Sequence, residues 1–194
     1  MIALVMAAMV CAVVTGFFHN LTRDRIDANS KAARLRLINE VMTATHSNDL
    51  LEDMISVSDR EFFSDDREVG VYRARSADGS PVGVVFMPVT ARGYNGPVTL
   101  VIGISYSGTI TGVRVDEQHE TAGLGDRIDQ NNSDWILGFE NRSLRNTAVD
   151  GWTVRNNGGE FDQLSGATIS PRGVIRQVKN TLDYYQIHSE ELYR

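Results

Sequence analysis

The stretch Asp162-Gln163-Leu164-Ser165-Gly166-Ala167-Thr168-Ile169-Ser170-Pro171 joins a loop of small residues to the start of a helix. Ser170-Pro171 reads as an N-cap and a first helical residue: a serine oxygen accepts an orphan backbone N–H there, and proline has no N–H to lose. Ile175, Val178, Leu182 and Tyr185 follow at three- and four-residue steps. That spacing predicts a closing helix that buries the stripe against a sheet. Thr168 then stands just ahead of a helix N-terminus, where free N–H groups and the helix dipole favour an anion. Ser165, Gly166 and Ala167 carry little bulk, which leaves the backbone open to a large ligand. A threonine in this position can hold a phosphate or carry one.

Upstream, the period changes from helical to alternating. Val69 to Ser76 and Pro81 to Val89 flank Asp78-Gly79, a hairpin signal. Val98, Leu100, Ile102 and Ile104 alternate along a third strand, and Thr109 to Asp116 pairs after the Ser107-Gly108 turn. Four antiparallel strands make a sheet with one face for helices. Ser133 to Phe139 reads as a short helix, and Trp152 to Arg155 as a further strand before Asn156-Asn157-Gly158-Gly159. Residues 46–68 are acidic and polar around Phe62-Phe63 and read as loop or short helix. The fold class is α+β, an antiparallel sheet packed by helices.

Met1 to Phe18 is apolar apart from Thr15 and Gly16, and no charged side chain precedes His19. About 20 such residues span a bilayer as a helix, so the run reads as a transmembrane anchor. A cleaved signal peptide would end in small residues, whereas Phe17-Phe18-His19-Asn20 follows here. Leu21 to Thr45 reads as a helix continuous with the anchor or hinged from it. The expected division is an anchor over 1–18, a helical connector over 19–48 and the α+β domain over 49–194. Read literally, Arg23 and Arg25 beyond the anchor, with no basic flank before it, put the body in the cytoplasm. The net charge of −6 argues against a nucleic-acid partner. The single cysteine, Cys11, excludes a disulfide within one chain.

Further blocks remain. Gly93-Tyr94-Asn95-Gly96-Pro97 is a turn feeding the third strand. His119-Glu120-Thr121-Ala122-Gly123-Leu124-Gly125-Asp126 ends a strand in a glycine-rich turn, and Ser133-Asp134-Trp135-Ile136 opens the short helix. His119 reads as a solvent-facing strand-end histidine, since His19, His46 and His188 are scattered and show no metal spacing. Glycines 123 and 125 allow positive φ and close backbone approach. No nucleophile–base arrangement for substrate turnover is apparent.

In this order, with Ser-Gly-Ala-Thr before the last helix, these blocks resemble the FMN-binding domain family. Within it the chain is similar to the G subunits of Rnf electron transport complexes and, more distantly, to the C subunit of the Na+-translocating NADH:quinone reductase. The resemblance implies FMN joined through its phosphate to the hydroxyl of Thr168, beside Ser165, Gly166 and Ala167. It implies that Glu120, Thr121, Gly123, Leu124 and Gly125 approach the isoalloxazine or organise its loop. Relatives commonly have proline where Ala122 stands. A separate Mg2+-dependent flavin transferase would attach the flavin from FAD, reading a motif that includes Asp162. The implied setting is the bacterial inner membrane, with an N-in anchor and the domain on the periplasmic side. There, integral membrane partner subunits couple ferredoxin:NAD+ oxidoreduction to Na+ or H+ transport. The chain is then an electron relay without independent catalysis. A flavin-free periplasmic binding or assembly factor with the same fold is the alternative.

Overall fold

The alternating segments form one antiparallel meander in the computed structural model, which describes residues 2–63 and 67–194, with only part of the side chains in the N-terminal helix. Strands β1 (Met54–Val57), β2 (Val69–Arg75), β3 (Pro81–Arg92), β4 (Pro97–Ser105) and β5 (Ile110–Glu117) lie in sequence order. Each pairs with the next, with Tyr72 opposite Val85 and Ile102 opposite Val113. Four of the five match the segments read from alternation. The fifth, β1, lies where loop or short helix was expected. Its four residues, Met-Ile-Ser-Val, are too few for periodicity to register. They form a strand because the edge of β2 offers free ladder groups.

Helix α1 (Ile2–Val41) and helix α2 (Ile169–Leu192) flank the chain. The chain divides into two units, residues 1–36 and 37–194. In the first unit Leu4, Met6 and Met9 are exposed. No helix among the described residues is long and apolar enough to cross a membrane. The apolar run over 1–18 falls largely on side chains outside the described ones.

In the second unit the sheet is covered on both faces, not on one. On the first, Val71, Phe86, Leu100, Ile102 and Val113 pack against Val174, Ile175, Val178 and Leu182 of α2, with Ile136, Phe139 and Phe161 from the following loops. On the second, Tyr72, Ala74, Val85 and Val101 meet Ile38, Val41, Met42 and Leu50. Glycines make this second contact close. A Cβ on Gly103 would lie 2.5 Å from the Val41 carbonyl oxygen, and one on Gly112 would lie 2.9 Å from Val41 Cα. Thr111 Oγ1 donates to that same carbonyl at 2.5 Å. Alternation in a strand reports which side chains are apolar, and here both alternate sets are, as expected of a sheet buried on both sides.

Two further expectations are corrected. Trp152 to Arg155 is not a strand. Residues 152–154 lie between two 3-10 turns, Arg155 opens the second, and a single parallel bridge joins Val154 to Phe161. The chain doubles back so tightly at Gly159 that a Cβ there would come within 2.0 Å of the Thr153 carbonyl oxygen. The alternation of Trp152 and Val154 thus reflects loop burial. Ser170-Pro171 does not cap α2 either. The helix starts at Ile169, with Thr168 in the cap position. Pro171 is tolerated because the first four N–H groups of a helix have no partner within it.

Candidate functional site

The loop before α2 is a turn closed by a hydrogen bond from Ala167 N to the Leu164 carbonyl at 3.1 Å. Its third residue, Gly166, has φ +81°, a conformation that glycine adopts without strain. Gln163 braces the turn from outside, donating through Nε2 to the carbonyls of Leu164 (3.2 Å) and Ala167 (3.0 Å). Trp135 Nε1 donates to the Asp162 carbonyl at 2.8 Å, and its ring packs edge-on against Phe139. The indole thereby ties the loop to the core. Asp162 itself pairs with Arg155 at 2.7 Å in a well-exposed contact.

The loop after β5 is built from its own backbone. The Thr121 carbonyl accepts from the N–H groups of Leu124 and Gly125, both at 3.1 Å, and Gly123 sits at φ +74°. Leu124 is folded over Gly166, where a Cβ would lie 2.6 Å from Leu124 Cδ2. The turn at 93–97 is bound to both loops. Glu120 Oε1 accepts from the backbone N–H of Tyr94 at 2.8 Å and of Asn95 at 3.3 Å. Asn95 Nδ2 donates to Thr121 Oγ1 at 3.1 Å. Tyr94 N also donates to the hydroxyl of the buried Ser170 at 3.3 Å. The serine expected to cap α2 therefore serves a turn 76 residues away in sequence.

These three segments enclose a cavity of about 530 Å3, lined by Tyr94, Glu120, Thr121, Leu124, Gly125, Gly166, Ala167, Thr168, Ile169 and Ser170. The volume suits a small molecule. Of the residues singled out in the sequence, Glu120, Thr121, Leu124, Gly125, Gly166, Ala167 and Thr168 face it together, while Ser165 and Gly123 do not line it. Ile169 and Ser170 line it unannounced, since neither type signals a ligand contact. Tyr94, Leu124 and Ile169 are 69%, 42% and 42% exposed, three large apolar side chains left open on the cavity's lining. Such a patch is where a flat apolar ligand gains most by covering surface. The cavity's volume and its exposed apolar side chains fit an isoalloxazine.

Thr168 is exposed at the lip, with φ −106° and ψ −33°, and its side chain makes no capping hydrogen bond. Among the described residues no base is hydrogen-bonded to its hydroxyl. His119 is exposed, 3.9 Å from Glu117. No group of three or more metal-ligating side chains occurs among the described residues.

Fold and cavity together define an FMN-binding domain, and the profile of that domain matches residues 93–183. The profile of the RnfG N-terminal region matches residues 2–41. The chain belongs to the family of the G subunits of ion-translocating oxidoreductase complexes. It is 38% identical over 173 residues to the G subunit from Pseudoalteromonas atlantica, covering 89% of this chain and 80% of that one. Against the G subunit from Haemophilus influenzae it is 37% identical, covering 90% and 83%. Against the one from Vibrio vulnificus it is 36% identical, covering 97% and 90%. The crystal structure of Shewanella oneidensis NqrC shares the fold, with a TM-score of 0.52 and 22% identity over 74% of this chain and 73% of that one.

Proposed function

We propose that this chain is a membrane-anchored flavoprotein subunit that relays electrons through FMN esterified to Thr168, within an Rnf-type ion-translocating ferredoxin:NAD+ oxidoreductase. The observation that carries the reading is the uncapped hydroxyl of Thr168 at the lip of a cavity with an open apolar wall. Because that hydroxyl caps nothing, esterification removes no existing helix contact. The resulting phosphodiester keeps one negative charge, which the start of α2 stabilises by about 0.3–1 kcal/mol. That is too little to retain a cofactor, so the covalent bond does so.

Tyr94, Leu124 and Ile169 supply the apolar wall for the ring. Gly166 and Gly125 let Leu124 and Glu120 pack against the backbone beside it, and Glu120 and Thr121 hold the surrounding turns in place. When bound, the isoalloxazine supplies reversible uptake and release of electrons. Residues 1–18 act as the anchor in the lipid bilayer of the bacterial inner membrane, 19–48 as connector, and 49–194 as the flavin domain on the periplasmic side. The names of the relatives support partners that are other subunits of the complex. A flavin transferase serves maturation.

The test is in-gel fluorescence and peptide mass after SDS denaturation of protein co-expressed with a transferase. The native chain is expected to fluoresce, and Thr168→Val to lose the signal entirely. Fluorescence persisting in Thr168→Val sinks the attachment site. An unmodified Thr168 peptide in material from native membranes sinks the carrier role.

A further inference from the structure

Thr168 also lines a second recess, completed by Arg92, Ile169, Arg172, Gly173 and Arg176 around about 280 Å3. Two routes bring three guanidinium groups there. Arg172 and Arg176 follow Thr168 at steps of four on α2, hence on neighbouring positions of one face. Helical side chains lean toward the N-terminus, which carries both back in the direction of Thr168. Arg92 ends β3, and α2 is seated directly on it. A Cβ on Gly173 would lie 1.8 Å from the Arg92 carbonyl oxygen, so glycine alone permits that seat.

All three arginines are exposed, and no carboxylate lines the recess. Arg172 gives one N–H to Asn157 Oδ1 at 3.0 Å, which leaves most of its five donors for other use. Three like charges gathered in a chain of net charge −6 repel one another unless an anion lies between them. Planar guanidinium forks match the oxygens of a phosphate group in particular. The recess shares Thr168 and Ile169 with the cavity. Arg92 and Arg176 continue into a groove that shares Tyr94 with it.

We propose that Arg92, Arg172 and Arg176 form a phosphate-binding recess that holds the phosphodiester joining the flavin to Thr168. This rests on the flavin reading above and deepens it: ring and phosphate occupy separate recesses that meet at Thr168 and Ile169. The experiment uses the full chain carrying Thr168→Val, in detergent, titrated with FMN and with riboflavin while flavin fluorescence is followed. The two ligands share the ring and differ by the phosphate. FMN is expected to bind at least about tenfold more tightly than riboflavin, the yield of one charge-assisted contact. Adding Arg92→Gln, Arg172→Gln and Arg176→Gln is expected to abolish that preference and leave riboflavin binding unchanged. Equal affinities at the outset, or a preference that survives the three substitutions, overturns the recess and leaves the flavin reading standing. A loss of riboflavin affinity in the arginine variants also overturns it, since the arginines would then serve the ring. Binding of neither flavin overturns the recess and leaves the covalent flavin reading, which the peptide mass of native material tests, standing.

Discussion

The carboxylate of Glu120 acts through a neighbouring turn. One oxygen accepts from two backbone N–H groups, at Tyr94 and Asn95, and the other lies where a Cβ on Gly125 would sit, 2.5 Å away. One residue therefore joins the 93–97 turn to the loop after β5 and fixes Tyr94 on the cavity wall. Glu120→Gln keeps an acceptor oxygen and loses the charge, and is expected to lower stability by about 1 kcal/mol. Glu120→Ala removes the main acceptor from two backbone donors and is expected to cost about 1–3 kcal/mol. Urea denaturation at neutral pH measures both, and an alanine variant as stable as the native chain would show the clamp to be idle. Ser170 teaches the same lesson at residue scale. A serine before a proline looks like a cap, but this one is buried and its hydroxyl faces Tyr94.

At the scale of elements, the seat of α2 on β3 decides where Thr168 stands. The stripe Ile175, Val178, Leu182 and Tyr185 is buried, so the helix must lie on the sheet. How near it comes is set by Gly173 against the backbone of Arg92. Gly173→Ala forces helix and strand apart, since neither side of the contact is a flexible side-chain end. The expected loss is about 1–3 kcal/mol, as for an overpacked core. Gly138→Ala is the control: a Cβ there meets nothing within 4 Å, and stability should stay within about 0.5 kcal/mol. Equal losses for the two variants in urea unfolding would refute the close seat.

Across the whole second unit, the end of α2 is tied back to the strands by hydrogen bonds from two ion-paired arginines. Asp53 pairs with Arg73 and with Arg75, the latter at 2.8 Å. Arg75 Nη2 also donates to the Tyr193 carbonyl at 3.1 Å, and Arg73 Nη1 to that of Leu192 at 3.4 Å. Burial raises the pKa of Asp53, but hydrogen bonds from Arg75 and Arg73, with their charges, outweigh it and hold the carboxyl below its ordinary 3.8. A carboxyl depressed on folding adds stability that is complete above its ordinary pKa. That stability is lost as pH falls through the folded value. Asp53→Asn is therefore expected to cost about 1–3 kcal/mol at neutral pH, and its stability curve to converge on the native one in acid below 3.8. Thermal melts across that range test the convergence. A gap that stays constant into acid would remove Asp53 from the account.

The sequence by itself determined the order of β2 to β5, the α+β class, the buried stripe of α2 and the blocks that mark the family. Each of these is written in local periodicity or in residue types at fixed spacing, and neither depends on what the chain later meets. Most of the cavity's lining was marked only through what the family resemblance of those blocks implies. Tertiary structure alone decided that the sheet is covered on both faces, that β1 exists, and that Trp152 and Val154 are buried without a strand. It alone placed Ser170 on Tyr94, put Thr168 in the cap position with no capping hydrogen bond, and gathered Arg92 with Arg172 and Arg176. The physical reason is competition. A donor, an edge strand or a buried face takes whichever partner the folded chain brings within reach, and the local sequence does not name that partner.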